Sequence, residues 1–433
     1  MNRQILRLSI PNIVSNITVP LLGLVDMAMM GHLDNPVYIG AIALGGAIFN
    51  LIYMSFGFLR MSTSGFTAQS FGAKNKEETS LILYRSIAVA FGLAVLLIAL
   101  QYPIQLISFR LLGGSEEVKT LARQYFYIRI FAAPATLGLY ALNGWFLGMQ
   151  NARIPMFLAI LINLMNIGLN FLFIIGFKMT SNGVALASVL AQYSGLILAF
   201  FLLSRHFKEY LKKYNKAIIL KAEALGKFFR VNADIFIRTL LLILVLTFFT
   251  SRSARISDDI LAVNSLLFQF FFIFSYFADG FAFAGEALTG KARGENNGTL
   301  LNKTIQYLFY WGWGSAILFS LIYLFGMKPI LQVMTDNDFL LQITYDYKWW
   351  VIILPLTSSA AFIWDGIYIG VMAAKAMRNT MIVASLFVFV PAYFLTIDKF
   401  GNHGLWFALN LFMMSRGLLM WAMAKQAVSQ KNR

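Results

Sequence analysis

The sequence predicts an all-α integral membrane protein of twelve transmembrane helices in two pseudo-symmetric six-helix bundles. Three observations support this fold class. Hydrophobic residues make up 59% of the 433-residue chain and charged residues only 12%, whereas a soluble domain carries roughly 25% charged residues. The chain contains twelve apolar runs that are long enough to cross a bilayer as helices, and they are continuous and not alternating, which disfavours a β-barrel. The two halves of the chain also share motifs, and corresponding motifs are separated by a similar number of residues.

The predicted spans follow each other closely except near the middle of the chain. In the N-terminal half they cover residues 10–31, 39–64, 81–109, 120–149, 155–177 and 183–204. In the C-terminal half they cover 233–253, 260–290, 305–327, 342–373, 380–397 and 403–425. We therefore predict an N-terminal six-helix lobe over 1–204, a basic cytoplasmic linker over 205–232 and a C-terminal six-helix lobe over 233–433. The linker is interpreted as a segment lying on anionic lipid headgroups, with a regulatory partner site as the alternative.

The loops between the spans alternate in charge. About 21 basic residues fall on one side of the predicted membrane against about 6 on the other, which is a positive-inside pattern. Both termini are therefore predicted to be cytoplasmic. The net charge of +16 is explained by these loops, so no nucleic-acid partner is expected. The apolar stretch after Arg7 has no cleavage site and reads as a first span that is retained.

Two pairs of motifs indicate an internal repeat. Asn143-Gly-Trp-Phe-Leu-Gly148 in span four corresponds to Asp365-Gly-Ile-Tyr-Ile-Gly370 in span ten. The end of span two, AQSFGAK, corresponds to the end of span eight, ALTGKAR. The period is about 220 residues, or six spans, so the halves have parallel topology. Transporters built from such repeats usually bind substrate between the halves.

Polar residues within the N-terminal spans are candidates for function, because polar and ionisable groups are costly in lipid. Asp26 is an acid in the apolar first span. Asn163, Asn166 and Asn170 are spaced three and four apart, so they share one face of span five. They either join helices by hydrogen bonds or line a polar surface that faces Asp26. Amides without a cation disfavour the charged form of that carboxyl group, which would allow it to load and unload protons. A structural role for Asp26 near a kink at Pro20 is the alternative.

The C-terminal half has its own ionisable cluster, formed by Arg238 in span seven, Asp279 and Glu286 in span eight and Asp365 in span ten. Asp279 and Glu286 are seven residues apart and so share a helix face, with Arg238 as the expected partner of one of them. The cluster is either a charge-neutral structural element or a second cation or substrate site.

The remaining candidates are apolar or aromatic, and no enzyme motif accompanies them. Flexible methionines suit varied apolar ligands, and the predicted substrate cavity is lined by Met27, Met30, Met54, Met61 and Tyr140. The sequence has no phosphate-binding loop, no cysteine and no zinc-ligand spacing. We therefore expect neither an enzyme nor a metal site, and no cofactor.

Several stretches of the sequence together resemble the multidrug and toxic compound extrusion (MATE) transporters, in particular the branch named after the DNA-damage-inducible protein F. The stretches that carry this resemblance are VPLLGLVDMAMMGHL, GFLRMSTSGFTAQSFGAKN, LNGWFLGMQNARIPM, NIGLNFLFIIG, DIFIRTLLL, FADGFAFAGEALTGKARG and FIWDGIYIG. The resemblance implies two six-helix lobes in a V with a central cavity. It also implies export of cationic or amphipathic compounds in exchange for protons or sodium.

The resemblance also assigns site residues. It implies that Asp26 is the coupling acid, and that Ser188 is the hydroxyl near the span-five network. Asn143, a polar residue within span four, completes the predicted coupling set. The family's span-five pattern is Asn-x-x-x-Asp, whereas this chain has Asn166-Ile-Gly-Leu-Asn170. The second carboxylate is thus an amide, which favours a proton over sodium as the coupling ion.

The resulting prediction is a monomeric, proton-coupled antiporter of drugs or organic cations in the bacterial inner membrane, in contact with membrane lipids. One alternative is sodium coupling through Asp279, Glu286 and Asp365. Another alternative is a flippase for a lipid-linked saccharide.

Overall fold

The computed structural model describes residues 1–30, 37–111, 113 and 115–429, with the side chains of residues 19–30 and 429 outside this description. Eleven helices within it are long and apolar enough to span a membrane. A twelfth, α1 (Asn2–Met30), is 29 residues long. The others are α2 (Val37–Gly72), α3 (Lys76–Ala99), α4 (Glu116–Gly148), α5 (Arg153–Gly176), α6 (Ser181–His206), α7 (Lys216–Ile256), α8 (Asp258–Gly294), α9 (Gly298–Met334), α10 (Lys348–Gly370), α11 (Ala374–Phe400) and α12 (Asn402–Val428). The all-α membrane fold is thereby confirmed.

Several of these helices contain local irregularities. A turn separates Val37–Ser55 from Phe58–Gly72 within α2, and a 3₁₀ turn occupies Ile130–Ala132 within α4. Residues Phe171–Gly176 of α5 and Ala384–Phe389 of α11 are π-helical. Such π segments are rare and often lie at functional sites. In α5 the π segment begins immediately after Asn170, the last of the three span-five asparagines.

Two predicted spans are each divided into two helices. Residues 81–109 form the end of α3 and a separate short helix, Gln101–Leu111. Pro103 lies in the first turn of this short helix, where the missing N–H costs no hydrogen bond. The predicted span 342–373 likewise contains the end of a short helix, Asp338–Asp346, followed by α10.

Residue contacts divide the chain into two compact units. One unit is Val14–Phe228, and the other joins Met1–Ile13 to Phe229–Arg433. The first has a core around Trp145, Phe146 and Leu158, and the second has a larger core rich in phenylalanine on α8. We call them the N-terminal unit and the C-terminal unit. The lobe boundaries at residues 204 and 233 stay a prediction.

The internal repeat extends to the turns and helix starts. Asn75 is the N-cap of α3 and Asn297 is the N-cap of α9, and each side chain accepts a hydrogen bond from the backbone N–H three residues later. The residues just before these caps, Lys74 and Asn296, have left-handed backbone at φ 55° and 52°. In both pairs the two positions differ by 222 residues, since 297 − 75 and 296 − 74 give the same value. The same local structure is therefore built twice.

Glycines bring two helices into backbone contact in each unit. A Cβ on Gly144 of α4 would collide with the carbonyl oxygen of Arg60 in α2, and a Cβ on Gly366 of α10 would collide with that of Ala282 in α8. Each of these positions also lies 222 residues from its counterpart, since 366 − 144 and 282 − 60 are equal. Small residues that allow close backbone approach are typical of helix packing in membranes. The repeated Gly-x-x-x-Gly motifs therefore set the packing of both units.

Candidate functional site

A chain of buried amides and a hydroxyl joins α5 to α6 in the N-terminal unit. Asn166 Nδ2 donates to Ser188 Oγ at 3.0 Å, and Asn170 Nδ2 donates to Asn166 Oδ1 at 2.9 Å. Asn166, Asn170 and Ser188 are 2%, 0% and 8% exposed. The i, i+4 spacing on α5 brings the two amides into contact, as expected for a helix face. The structure thus joins three of the predicted coupling residues in one network.

The third asparagine of the stripe connects α5 to α1. Asn163 Nδ2 donates to the backbone oxygen of Thr18 at 3.2 Å. Asp26 lies farther along the same helix, α1. The side chain of Asp26 lies outside the described residues, as do those of Met27 and Met30. The contact from Asn163 nevertheless fixes the relative depth of the two helices at this level.

The other predicted residues of the N-terminal unit are dispersed. Asn143 is partly buried beside Gly144, and the described hydrogen bonds do not join it to the α5 network. Met54 on α2 is 43% exposed, whereas Met61 and Tyr140 are partly buried. A substrate cavity formed by these residues stays a prediction.

The C-terminal unit contains a buried carboxylate held by two arginines. Arg238 of α7 and Arg416 of α12 each donate through Nη2 to Oδ2 of Asp365 on α10, and the Arg416 contact is 2.7 Å long. The exposed fractions of Arg238, Asp365 and Arg416 are 8%, 7% and 2%. Burying a charged side chain that has no partner costs roughly several kcal/mol per ion. The mutual pairing offsets this cost and ties three helices together.

Arg416 was missed in the sequence analysis, although the sequence carries a signal for it. It is a lone arginine within the last apolar run, far enough from the ends of that run to be buried. We expected Arg238 to pair with Asp279 or Glu286, and the structure instead joins it to Asp365. Glu286 on α8 is fully buried and Asp279 is partly buried. Asp279 is close enough to Arg416 for their charges to attract.

One family model matches each half of the chain separately, in agreement with the internal repeat. The family model MatE matches residues 11–172 and again 235–394. The chain belongs to the MatE family. Each match covers most of one half of the sequence, and the two matches end 222 residues apart, since 394 − 172 gives that value. The family match and the repeated helix contacts therefore describe the same duplication.

Individual MatE relatives cover nearly the whole chain. The chain is 38% identical over 420 residues to DNA damage-inducible protein F of Escherichia coli (strain K12), covering 96% of this chain and 90% of that protein. It is 22% identical to the probable multidrug resistance protein NorM of Photorhabdus laumondii, over 98% of this chain and 95% of the relative. The resemblance found in the sequence is confirmed.

Solved structures show the same fold. A MOP superfamily transporter from Pyrococcus furiosus matches with a TM-score of 0.86 at 19% identity, covering 98% of this chain and 95% of that one. An outward-facing MATE family transporter matches with a TM-score of 0.84 at 20% identity, with the same coverages. At this identity the likeness concerns the fold alone. It supports the twelve-helix MatE architecture described above.

Proposed function

We propose that this MatE protein is a multidrug efflux transporter that exchanges protons for cationic or amphipathic small molecules by alternating access. We further propose that it works as a monomer in the bacterial inner membrane with both termini in the cytoplasm. The family and the relatives with multidrug resistance names support efflux as the activity. Coupling to protons rests on the chemistry of the N-terminal unit.

The observation that carries the proposal is the register between α1 and α5. These helices run in the same direction, because three membrane spans, α2, α3 and α4, lie between them. Asp26 lies eight residues beyond Thr18 and Asn170 lies seven beyond Asn163, or about 12 Å and about 10.5 Å along the two axes. Since Asn163 donates to Thr18, this register supports similar membrane depths for Asp26 and the buried pair Asn166 and Asn170.

The described side chains of the network at that depth are electrically neutral. They are two amides and a hydroxyl, and Asn170 replaces the carboxylate of the family pattern. A lone carboxyl group among neutral partners is easily protonated, because burial without a cation disfavours its charged form. Sodium, in contrast, is better held by several oxygens with net negative charge. The composition of the network therefore favours a proton as the coupling ion.

The C-terminal unit gives less support to sodium coupling than the N-terminal unit gives to proton coupling. The Asp365 carboxylate already accepts hydrogen bonds from Arg238 and Arg416. Two adjacent positive charges repel a further cation from this carboxylate. A sodium site in this unit would therefore depend on Asp279 and Glu286 without Asp365.

In the proposed cycle, protonation of Asp26 from the outer side removes its charge. The carboxyl group then exchanges hydrogen bonds with Asn166 and Asn170. The α1 helix bends near Pro20 and Gly23, the cavity narrows and the drug leaves. Deprotonation toward the cytoplasm resets the site. The proton drives this change only through its different affinity for the two conformations.

The test is Asp26→Asn in proteoliposomes with an imposed pH gradient and a fluorescent organic cation as substrate. We expect uptake driven by the pH gradient to be abolished, because asparagine cannot exchange the proton. Asp336→Asn, at an exposed acid in a connecting segment, is the matched control and should transport at the wild-type rate. Wild-type transport should also persist when choline replaces sodium at fixed pH. Transport at the wild-type rate in Asp26→Asn would contradict the proposal.

A further inference from the structure

A large apolar groove lies within the C-terminal unit, and its lining does not include Arg238, Asp365 or Arg416. It has a volume of about 1020 Å³ and runs between α9, α10 and α12. Its walls are rich in aromatic side chains and include Phe309, Trp313, Trp364, Leu418 and Trp421. Trp313, Leu418 and Trp421 are 42%, 55% and 67% exposed. In a membrane, exposed apolar walls of this kind are suited to contact with acyl chains.

The depth of the groove matches one leaflet of a bilayer. Along α12 its lining extends from Met414 to Lys425, a distance of about 16 Å for eleven helical steps. The hydrocarbon core of a bilayer is about 30 Å thick, so one leaflet contributes about 15 Å. An acyl chain entering from one membrane surface would therefore fill the groove from end to end.

One end of the groove is basic. Lys425 belongs to its lining and is exposed. At the same end of α12, Arg293 Nη1 donates to the backbone oxygen of Val428 at 2.7 Å. The helix α9 also begins at this end, and α10 ends there. Basic residues at a membrane surface attract anionic headgroups, whereas Lys425 would repel a cationic drug.

We propose that this groove binds a membrane phospholipid with an anionic headgroup. The acyl chains lie against the tryptophan-lined walls and the phosphate group lies at Lys425. The lipid comes from the leaflet at the basic end of the bundle, which the charge distribution predicts to be cytoplasmic. The site is separate from the proposed coupling network, so it can be tested without measuring transport.

The experiment measures quenching of tryptophan fluorescence by lipids with brominated acyl chains, using the purified full-length protein in mixed micelles. Trp313, Trp364 and Trp421 line the groove, so bound brominated chains quench them. We expect brominated phosphatidylglycerol to reach half-maximal quenching at a concentration about fivefold below that of brominated phosphatidylcholine, the effect of about one basic residue near an anionic lipid.

Two variants and a control sharpen the test. Lys425→Gln should abolish the preference for phosphatidylglycerol and leave phosphatidylcholine unchanged. Ala422→Phe, which enlarges a lining residue, should weaken quenching by both lipids. Lys375→Gln, at an exposed lysine that is not part of the lining, should behave as wild type. Equal quenching by both lipids in the wild type, or an intact preference in Lys425→Gln, would overturn the proposal. Displacement of both lipids by a soluble organic cation would also overturn it, because the groove would then be a substrate site.

Discussion

The two units share a close helix contact at a glycine and differ in the charged residues beside it. Gly144 and Gly366 make equivalent backbone contacts, yet the residue before each glycine is different. In the N-terminal unit it is Asn143, an uncharged amide. In the C-terminal unit it is Asp365, whose carboxylate accepts hydrogen bonds from two buried arginines. The duplication kept the helix crossing and changed its polar chemistry.

This difference separates a buried network of neutral side chains from a buried cluster of charged ones. The buried network of α5 and α6 consists of neutral side chains whose hydrogen bonds can be exchanged at low cost. At the same 222-residue offset, Asn166 and Asn170 correspond to Val388 and Ala392 in α11, so this amide pair has no counterpart there. The triad of Arg238, Asp365 and Arg416 instead joins three helices by ionic contacts. We therefore expect rearrangement in the N-terminal unit and rigidity in the C-terminal unit.

The largest expected effect comes from breaking the triad. Asp365→Asn removes the carboxylate that Arg238 and Arg416 share and leaves both buried cations without this partner. Removing one partner of a buried ion pair typically costs about 3–5 kcal/mol. We expect a correspondingly large drop in the thermal unfolding midpoint of the purified protein. Asn143→Ala, at the repeat-related position, should lower the midpoint only slightly. Equal midpoints for the two variants would show that the triad does not stabilise the unit.

A smaller loss of stability is expected when the glycines at the helix contacts are replaced, and this loss should be similar in both units. Gly366→Ala and Gly144→Ala each place a methyl group against a backbone carbonyl of the neighbouring helix. Overpacking of this kind costs about 1–3 kcal/mol. Gly314→Ala is the control, because a Cβ there meets no atom of the described residues within 4 Å, and alanine is favoured over glycine in a helix by roughly 0.5–1 kcal/mol. The measurement is again the thermal unfolding midpoint. A lower midpoint for only one of the two glycine variants would contradict the equivalence of the two helix contacts.

Much of this organisation can be predicted from the sequence. The spans are visible because lipid requires continuous apolar runs, and the repeat is visible because Gly144 and Gly366 must remain small. The pairing of Asp365 with Arg416 was not predicted, because it requires knowing that α10 packs against α12. The grouping of Met1–Ile13 with the C-terminal unit likewise depends on contacts between distant parts of the chain. Local pattern identifies which residues are unusual, whereas tertiary packing decides which of them meet.

The smallest stability effect, and the sharpest test of the contrast, concerns the amide network. Asn166→Ala removes the hydrogen bonds to Ser188 and Asn170. Such bonds between membrane helices are worth about 0.6 kcal/mol on average and about 1.7 at most, so the unfolding midpoint should fall only slightly. Transport driven by a pH gradient should fall far more if the network exchanges bonds with Asp26. Ser194→Ala is the control, because its described hydroxyl bond stays within α6, at the backbone oxygen of Ala191, and it should keep both properties. If Asn166→Ala loses stability and keeps its transport rate, the asparagines only join helices. The amide network of the N-terminal unit would then be a structural element, as the ionic cluster of the C-terminal unit is.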